Sequence, residues 1–503
     1  MRKMRCRVIP VAAFVAASAL VLHGADRIAS GEADLQYQLA NLLFDETRYP
    51  EALTAFDKAT HADDIGLARS ARKGKVRTAL RVAEFALARQ EAEALKNDAT
   101  TDVEALTLYG DALWSVGLFD ESDAEYKRAL DRNSGSSRAR FGLARSLATR
   151  NRLDEALTEA LAASASAPRD GEIYAAIGDI YERMNRFDEA ANAYTNYINL
   201  LPNKDRSEKA AWSRGQVRFL QAFEGRIPLE IDSQARSMVH KVPFRLVKGK
   251  VIVQGAINGG RPMDFMLDTG SEETVVSRET AQRYGIRPIT YTLSAGVGEV
   301  GLRGLQLARL ESIQIGSLLV KNLPVLVKNP ALRGIPKREG ESFSPLSLGM
   351  SMTIDYQQRL LTIARELPEG TPNFRLPMRV HRLALVRGML NSTQPAYFVI
   401  DTGGEVISIS ADTAQGLAAS PYRRIPLKVW GTSGWDRDAF LLPGVNLDFD
   451  KIEYRNFSLV VLNLRAPSVL LGFQLGGIVG HNFLGSYRVS MDMGRSELRL
   501  EKF

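Results

Sequence analysis

The chain has 503 residues, 45% hydrophobic and 24% charged, which is long enough for two or three domains with cores of their own. Its single cysteine, Cys6, excludes disulfides within the chain and any cysteine-zinc or thiol chemistry in the body of the protein. The formal charge of +7 falls to +3 (7 − 4) once Arg2, Lys3, Arg5 and Arg7 are set aside, so the balance of charge argues against a nucleic-acid partner.

Residues 1–25 read as a targeting segment. Four basic residues precede an apolar run from Val8 to Leu22, short for a membrane span and of the length a secretory signal uses. Cleavage after Ala25 would put His23 where a small residue is preferred, so an uncleaved N-terminal membrane anchor stays open beside a cleaved signal. Cys6 precedes the run and is not placed like a lipoprotein acceptor. The expected location is secreted or periplasmic, or inner-membrane anchored facing the periplasm.

Residues 33–224 are alanine-rich and repeat with a period of 34. Gly110, Ala144 and Gly178 fall in register, followed by Leu113/Leu147/Tyr181, Phe119/Leu153/Phe187 and Tyr126/Ala160/Tyr194, while Pro168 and Pro202 close two units. Gln36 to Ala59 reads as another unit and residues 67–95 as a degenerate one, with a last helix from about Asp205 to Phe223. This pattern resembles tetratricopeptide repeats, which implies an all-α solenoid whose concave groove docks a protein partner. The small residues are packing positions. No candidate catalytic residue precedes Gly225, and the composition changes there: 11 of the 40 glycines lie in residues 1–224. Residues 225–240 read as a linker, and the break predicts a solenoid that folds separately from the C-terminal half.

The second half is rich in β-branched residues and turns, and it repeats on a larger scale. Phe265-Met-Leu-Asp-Thr-Gly-Ser-Glu-Glu-Thr-Val-Val-Ser277 returns 133 positions later as Phe398-Val-Ile-Asp-Thr-Gly-Gly-Glu-Val-Ile-Ser-Ile-Ser410. Met263–Leu267 and Ala396–Ile400 read as buried strands, each running into a tight turn and back into a strand. Residues 241–366 and 374–503 form the two halves, separated by a stretch containing Pro368, Gly370, Pro372 and Pro377. Such a duplication brings two carboxylates to one point, where they share a proton and activate water against a peptide carbonyl.

These paired segments resemble aspartic proteases of the pepsin and retropepsin type, and more narrowly bacterial retropepsin-like proteins with both lobes in one chain, over roughly residues 240–503. The resemblance implies an all-β bilobal fold behind the all-α solenoid. Asp268 and Asp401 would be the catalytic pair, Thr269 and Thr402 would bond across the lobe interface, and Gly270 and Gly403 would complete the loops. It also implies a polypeptide substrate, no metal or organic cofactor, and an active site formed within a monomer. Two glycine-rich hairpins would be flaps, with Gly296 and Gly298 in the first and Trp430, Gly431 and Trp435 in the second. Gly296, Gly298 and Gly301 fit a dinucleotide fingerprint as a bare pattern, but a strand rather than a helix is expected after them. Trp430 and Trp435 read equally as subsite walls or lobe core. His481, beside Gly480, reads as structural.

One element departs from the duplication. Counting back from Asp355 and Asp492, Phe343 falls where Gly480 stands, so the first lobe has altered the apolar-apolar-glycine element beneath its catalytic loop. A protein that binds peptides without cutting them is therefore the alternative to an aspartic endopeptidase.

Overall fold

The computed structural model describes residues 30–98, 101–298, 301–328, 340–417 and 424–503; the N-terminal targeting segment lies outside them. Among the described residues, no helix is long and apolar enough to cross a membrane.

The first half is a stack of helix pairs, each burying one face on the next. The helices are α1 (Ser30–Asp45), α2 (Tyr49–Ala59), α3 (Ile65–Arg81), α4 (Phe85–Asp98), α5 (Val103–Ser115), α6 (Phe119–Arg132), α7 (Ser137–Thr149), α8 (Leu153–Ser166), α9 (Gly171–Arg183), α10 (Phe187–Leu200) and α11 (Glu208–Gln221). Three of them start at caps spaced by the sequence period. Asp102, Ser136 and Asp170 accept backbone N–H bonds from Glu104, Ala139 and Glu172 in their own first turns. The glycines of the repeat mark where an aromatic ring crosses: a Cβ on Gly110 would lie 2.6 Å from the Tyr126 ring, and one on Gly178 2.7 Å from that of Tyr194. The odd-numbered helices α3 to α11 line the concave side.

The second half is β-rich and two-lobed. In lobe 1 the strand Met263–Leu267 runs parallel to Glu341–Phe343, and Thr274–Val276 runs parallel to Leu318–Val327. Lobe 2 repeats this, with Gln394–Ile400 parallel to Gly477–Val479 and Ile407–Ser410 parallel to Ile452–Leu462. Phe265 and Phe398 are fully buried at corresponding places, so each Asp-Thr-Gly follows an apolar strand fixed on both sides. A six-stranded antiparallel sheet joins the lobes. It runs His240–Val247, Leu360–Ala364, Ser351–Asp355, Tyr487–Asp492, Glu497–Lys502 and Phe374–His381, with the lobes meeting at Ile354 opposite Val489.

The register corrects the alignment at Phe343. Phe343 pairs with Leu267 as Val479 pairs with Ile400, so Ser344, not Phe343, stands in place of Gly480. From Ser344 to Asp355 is one residue shorter than from Gly480 to Asp492. The 3-10 turn Pro345–Leu348 and the helix His481–Leu484 match in length, each with two residues after it, but the strand Ser351–Asp355 has five residues where Tyr487–Asp492 has six. Counting from the aspartate therefore slips by one.

The expectation of two separately cored modules also needs correction. Phe119, the first residue of α6, packs against Tyr397 and Phe473 of lobe 2 at 4.7 and 5.1 Å between ring centroids. Phe187, Phe219 and Phe223 form a second core with Leu307 and Leu326 of lobe 1. Between these, Arg379 of lobe 2 is 3% exposed and donates to Ser146, Thr149, Asp120 and Asp123 of the solenoid. The helices thus bridge both lobes through largely buried contacts. In lobe 1 the register position of Tyr397 is held by Asp264, which is left facing solvent and pairs with Arg245.

Candidate active site

Two tight turns bring the duplicated segments together at the lobe interface. Thr269 N–H donates to Thr402 Oγ1 and Thr402 N–H to Thr269 Oγ1, both at 3.1 Å. Each hydroxyl then donates across the interface, Thr269 to the Ile400 carbonyl at 2.6 Å and Thr402 to that of Leu267 at 2.8 Å. Both threonines are about 1% exposed, so this reciprocal ring of bonds is sealed from water and fixes the loops relative to each other.

That clamp sets each carboxyl group against the opposite loop. A Cβ on Gly270 would lie 2.5 Å from the Asp401 carboxyl, and one on Gly403 would lie 2.6 Å from Asp268 Oδ1. Only glycine lets each loop approach the opposite carboxyl so closely. Gly270 N–H donates to Asp268 Oδ1 at 3.1 Å, while Gly403 and Gly404 N–H donate to Asp401 Oδ1 at 2.8 and 2.9 Å. Two carboxyl groups held in this way, each against the opposite loop, can bind a water between them.

Residues outside the motif brace the second loop. Lys250, from the first hairpin of lobe 1, donates from Nζ to the Gly403 carbonyl at 2.8 Å. His481 donates from Nδ1 to the Gly404 carbonyl at 2.7 Å, a structural place for that ring. Gly480 lets the chain close onto Glu405, where a Cβ would lie 2.5 Å from the backbone. Ser344 at the matching place in lobe 1 is 1% exposed, and its hydroxyl finds no partner among the described residues.

The two glycine-rich hairpins meet each other. Val429–Gly431 pairs with Gly434–Asp436, so that Trp430 and Trp435 are cross-strand neighbours. Gly296 N–H donates to Ser433 Oγ at 3.1 Å and Ser433 N–H to the Val297 carbonyl at 3.0 Å, while Arg303 donates to the Thr432 carbonyl at 3.0 Å. Gly298 and Gly431 sit in this contact, against Ser433 and Val297 respectively. A strand, Arg303–Ile315, comes after the first hairpin, so its glycines open no phosphate-binding helix. Trp430 lines the adjoining cavity; Trp435 stands half-buried behind it. Ser433, Thr432 and Arg303 carried no signal in the sequence, since a single serine or arginine on a hairpin has no partner until the lobes close.

The cavity in front of Asp268 has a volume of about 2430 Å³ and is walled by both lobes and by the concave side of the solenoid. One wall is acidic. Burial pushes the Glu273 carboxyl well up, and Glu182 and Glu272 add to this. Glu182 is pushed up to about 7 by burial first and by Asp179 second, with Tyr194 and Gln216 donating to it. Arg382, paired with Glu272, supplies the nearest compensating charge. No group of three or more metal-ligating side chains is found among the described residues.

Comparison with known proteins divides the chain in the same way. Residues 253–352 match the family of aspartyl proteases, and residues 108–172 and 171–204 match tetratricopeptide repeats. No curated protein matches the chain. Among solved structures, a thermophilic tetratricopeptide protein of Thermus thermophilus is 18% identical with a TM-score of 0.32, over 37% of this chain and 98% of its own. A tetratricopeptide protein of Parabacteroides merdae is 19% identical with a TM-score of 0.29, over 39% of this chain and 74% of its own. YrrB, described as a tetratricopeptide protein with an unusual peptide-binding site, is 21% identical with a TM-score of 0.23, over 36% of this chain and 91% of its own. The N-terminal half is a repeat solenoid, and a β-rich region that matches the aspartyl protease family over residues 253–352 lies C-terminal to it.

Proposed function

We propose that this chain is an aspartic endopeptidase whose solenoid takes part in binding a protein. The observation that carries the reading is the reciprocal Thr269–Thr402 clamp, which holds Asp268 and Asp401 with each carboxyl against the other loop's glycine. In the reaction the pair binds one water. One carboxylate accepts a proton from the water as it attacks the scissile carbonyl. The other carboxyl, protonated, hydrogen-bonds that carbonyl oxygen, and the proton taken up by the first is passed to the leaving nitrogen. The residues supply every proton the step needs.

The silent, peptide-binding alternative draws on the Ser344 substitution beneath the first loop. The experiment is cleavage of a peptide library by residues 26–503, by Asp268→Asn and by Asp401→Asn. Each variant is expected to keep its circular dichroism and lose hydrolysis at least a hundredfold. More than a few per cent of activity in either folded variant rules the mechanism out, and an inactive parent protein with intact peptide binding selects the alternative.

A further inference from the structure

The cavity reaches further than a cleft between two lobes. Its lining runs from Asp268 and Trp430 to Leu80 on α3, Phe141 on α7, Ala175 on α9 and Trp212 on α11. Its volume of about 2430 Å³ is more than twice the roughly 300–1,000 Å³ of small-molecule sites. Neighbouring helices pack about 8–10 Å apart, so the five inner helices α3 to α11 extend over roughly 32–40 Å, the reach of about ten extended residues.

This wall cannot swing clear of the candidate site. Trp212 of α11 packs over Gly304, and a Cβ on Gly215 would lie 2.7 Å from Thr290 Oγ1, so α11 sits directly on the strands that carry the first hairpin. The Arg379 bonds and the Phe119 ring stack hold the middle of the solenoid on lobe 2. Several charges of the wall are paired among themselves, Arg81 and Arg138 with Glu172, and Arg138 and Arg145 with Asp111. Apart from the acidic patch at Glu182 and Glu273, such a surface offers aromatic rings and neutralised pairs, which suit a polypeptide of mixed side chains.

We propose that the concave face of the solenoid is the outer part of the substrate channel, holding the stretch of an extended polypeptide that continues from the scissile bond. Resting on the endopeptidase reading above, this restricts the substrate class: unfolded chains and long linkers reach the aspartates, and tight loops on folded proteins do not. Asp268 lies within this walled cavity, with the hairpin contact at Ser433 and the solenoid wall among its lining.

The test uses residues 26–503 and two substrates in which folded domains are joined by one cleavable sequence. The linker is about ten residues in one and about forty in the other, spans of roughly 35 Å and well beyond it. The long linker is expected to be cut at least tenfold faster; equal rates overturn the proposal. A second arm places Ala175→Cys on the wall, in the half of α9 remote from the end where Arg183 bonds the Val380 carbonyl of lobe 2. Coupling this cysteine to a bulky maleimide should lower kcat/KM for the long linker at least tenfold relative to an eight-residue peptide, and an unchanged ratio counts against the channel. Ser213→Cys on α11 serves if the first variant does not fold. Should no substrate be cut, the endopeptidase reading fails by itself. Fluorescence anisotropy with a labelled forty-residue linker peptide then decides the surface: binding lost on modification supports it, and binding unchanged or absent overturns it.

Discussion

At the residue scale the threonine clamp is the feature whose removal is most informative. Thr269 and Thr402 each bond once as acceptor and once as donor, and both are buried. Thr402→Ala leaves the Leu267 carbonyl and the Thr269 N–H unpaired, which costs about 1–3 kcal/mol per buried group. We expect the alanine variants to lose about 2–4 kcal/mol in urea unfolding and at least tenfold in peptide hydrolysis, while Thr402→Ser retains most of both. Equal damage from serine and alanine would show that the methyl packing, not the hydroxyl, holds the loops. Both threonines, both aspartates and both glycines were legible in the sequence because the whole device lies in two contiguous segments. Lys250 was not, and His481 was read as structural without its partner, since both reach backbone carbonyls that no side-chain pattern announces.

At the element scale the helices and the paired lobes follow the sequence closely. The 34-residue period survives because a ring crosses a glycine in two of the three units, Tyr126 at Gly110 and Tyr194 at Gly178, while Ala144 and Ala160 fill the same two positions in the unit between. The strands before the Asp-Thr-Gly turns survive because Phe265 and Leu267 in lobe 1 and Ala396 to Ile400 in lobe 2 are buried, although Asp264 interrupts the first run on its outer face. The slip at Ser344 was hidden by a strand one residue shorter, Ser351–Asp355 against Tyr487–Asp492, which changes a count without changing the pattern. The hidden element contact is α11 against the first hairpin. Gly215→Val would drive a side chain into Thr290 and push the strand Pro288–Ser294 from its seat. The expected outcome is a KM for short peptides raised at least fivefold with the unfolding midpoint little changed. A variant with normal KM would show that α11 touches the hairpin without positioning it.

At the scale of the whole molecule, the solenoid and the lobes share cores that neither can complete. Removing residues 26–224 would bare Leu385, Tyr397 and Phe473 on lobe 2 and Leu307 and Leu326 on lobe 1, and would leave Arg379 without its acceptors. Arg379 would return to water with its cover gone, so the penalty falls on the bared apolar residues, which form an aggregation-prone patch. We therefore expect residues 226–503 alone to be insoluble or to lose short-peptide cleavage. A soluble fragment with full activity would show that the shared cores are dispensable. Nothing in the residue pattern warned of this, because Phe119 and Phe223 fit a repeat's own packing as well as a partner's. The pair Asp264 and Tyr397 shows what the bridging has done to the duplication. One strand position carries a charge where water lies outside it and an aromatic ring where α6 does. Each lobe is thus addressed to its own neighbour: exchanging the two halves would press a carboxylate onto the Phe119 ring and leave a bare tyrosine in solvent, so the halves match in their catalytic loops yet are no longer interchangeable parts.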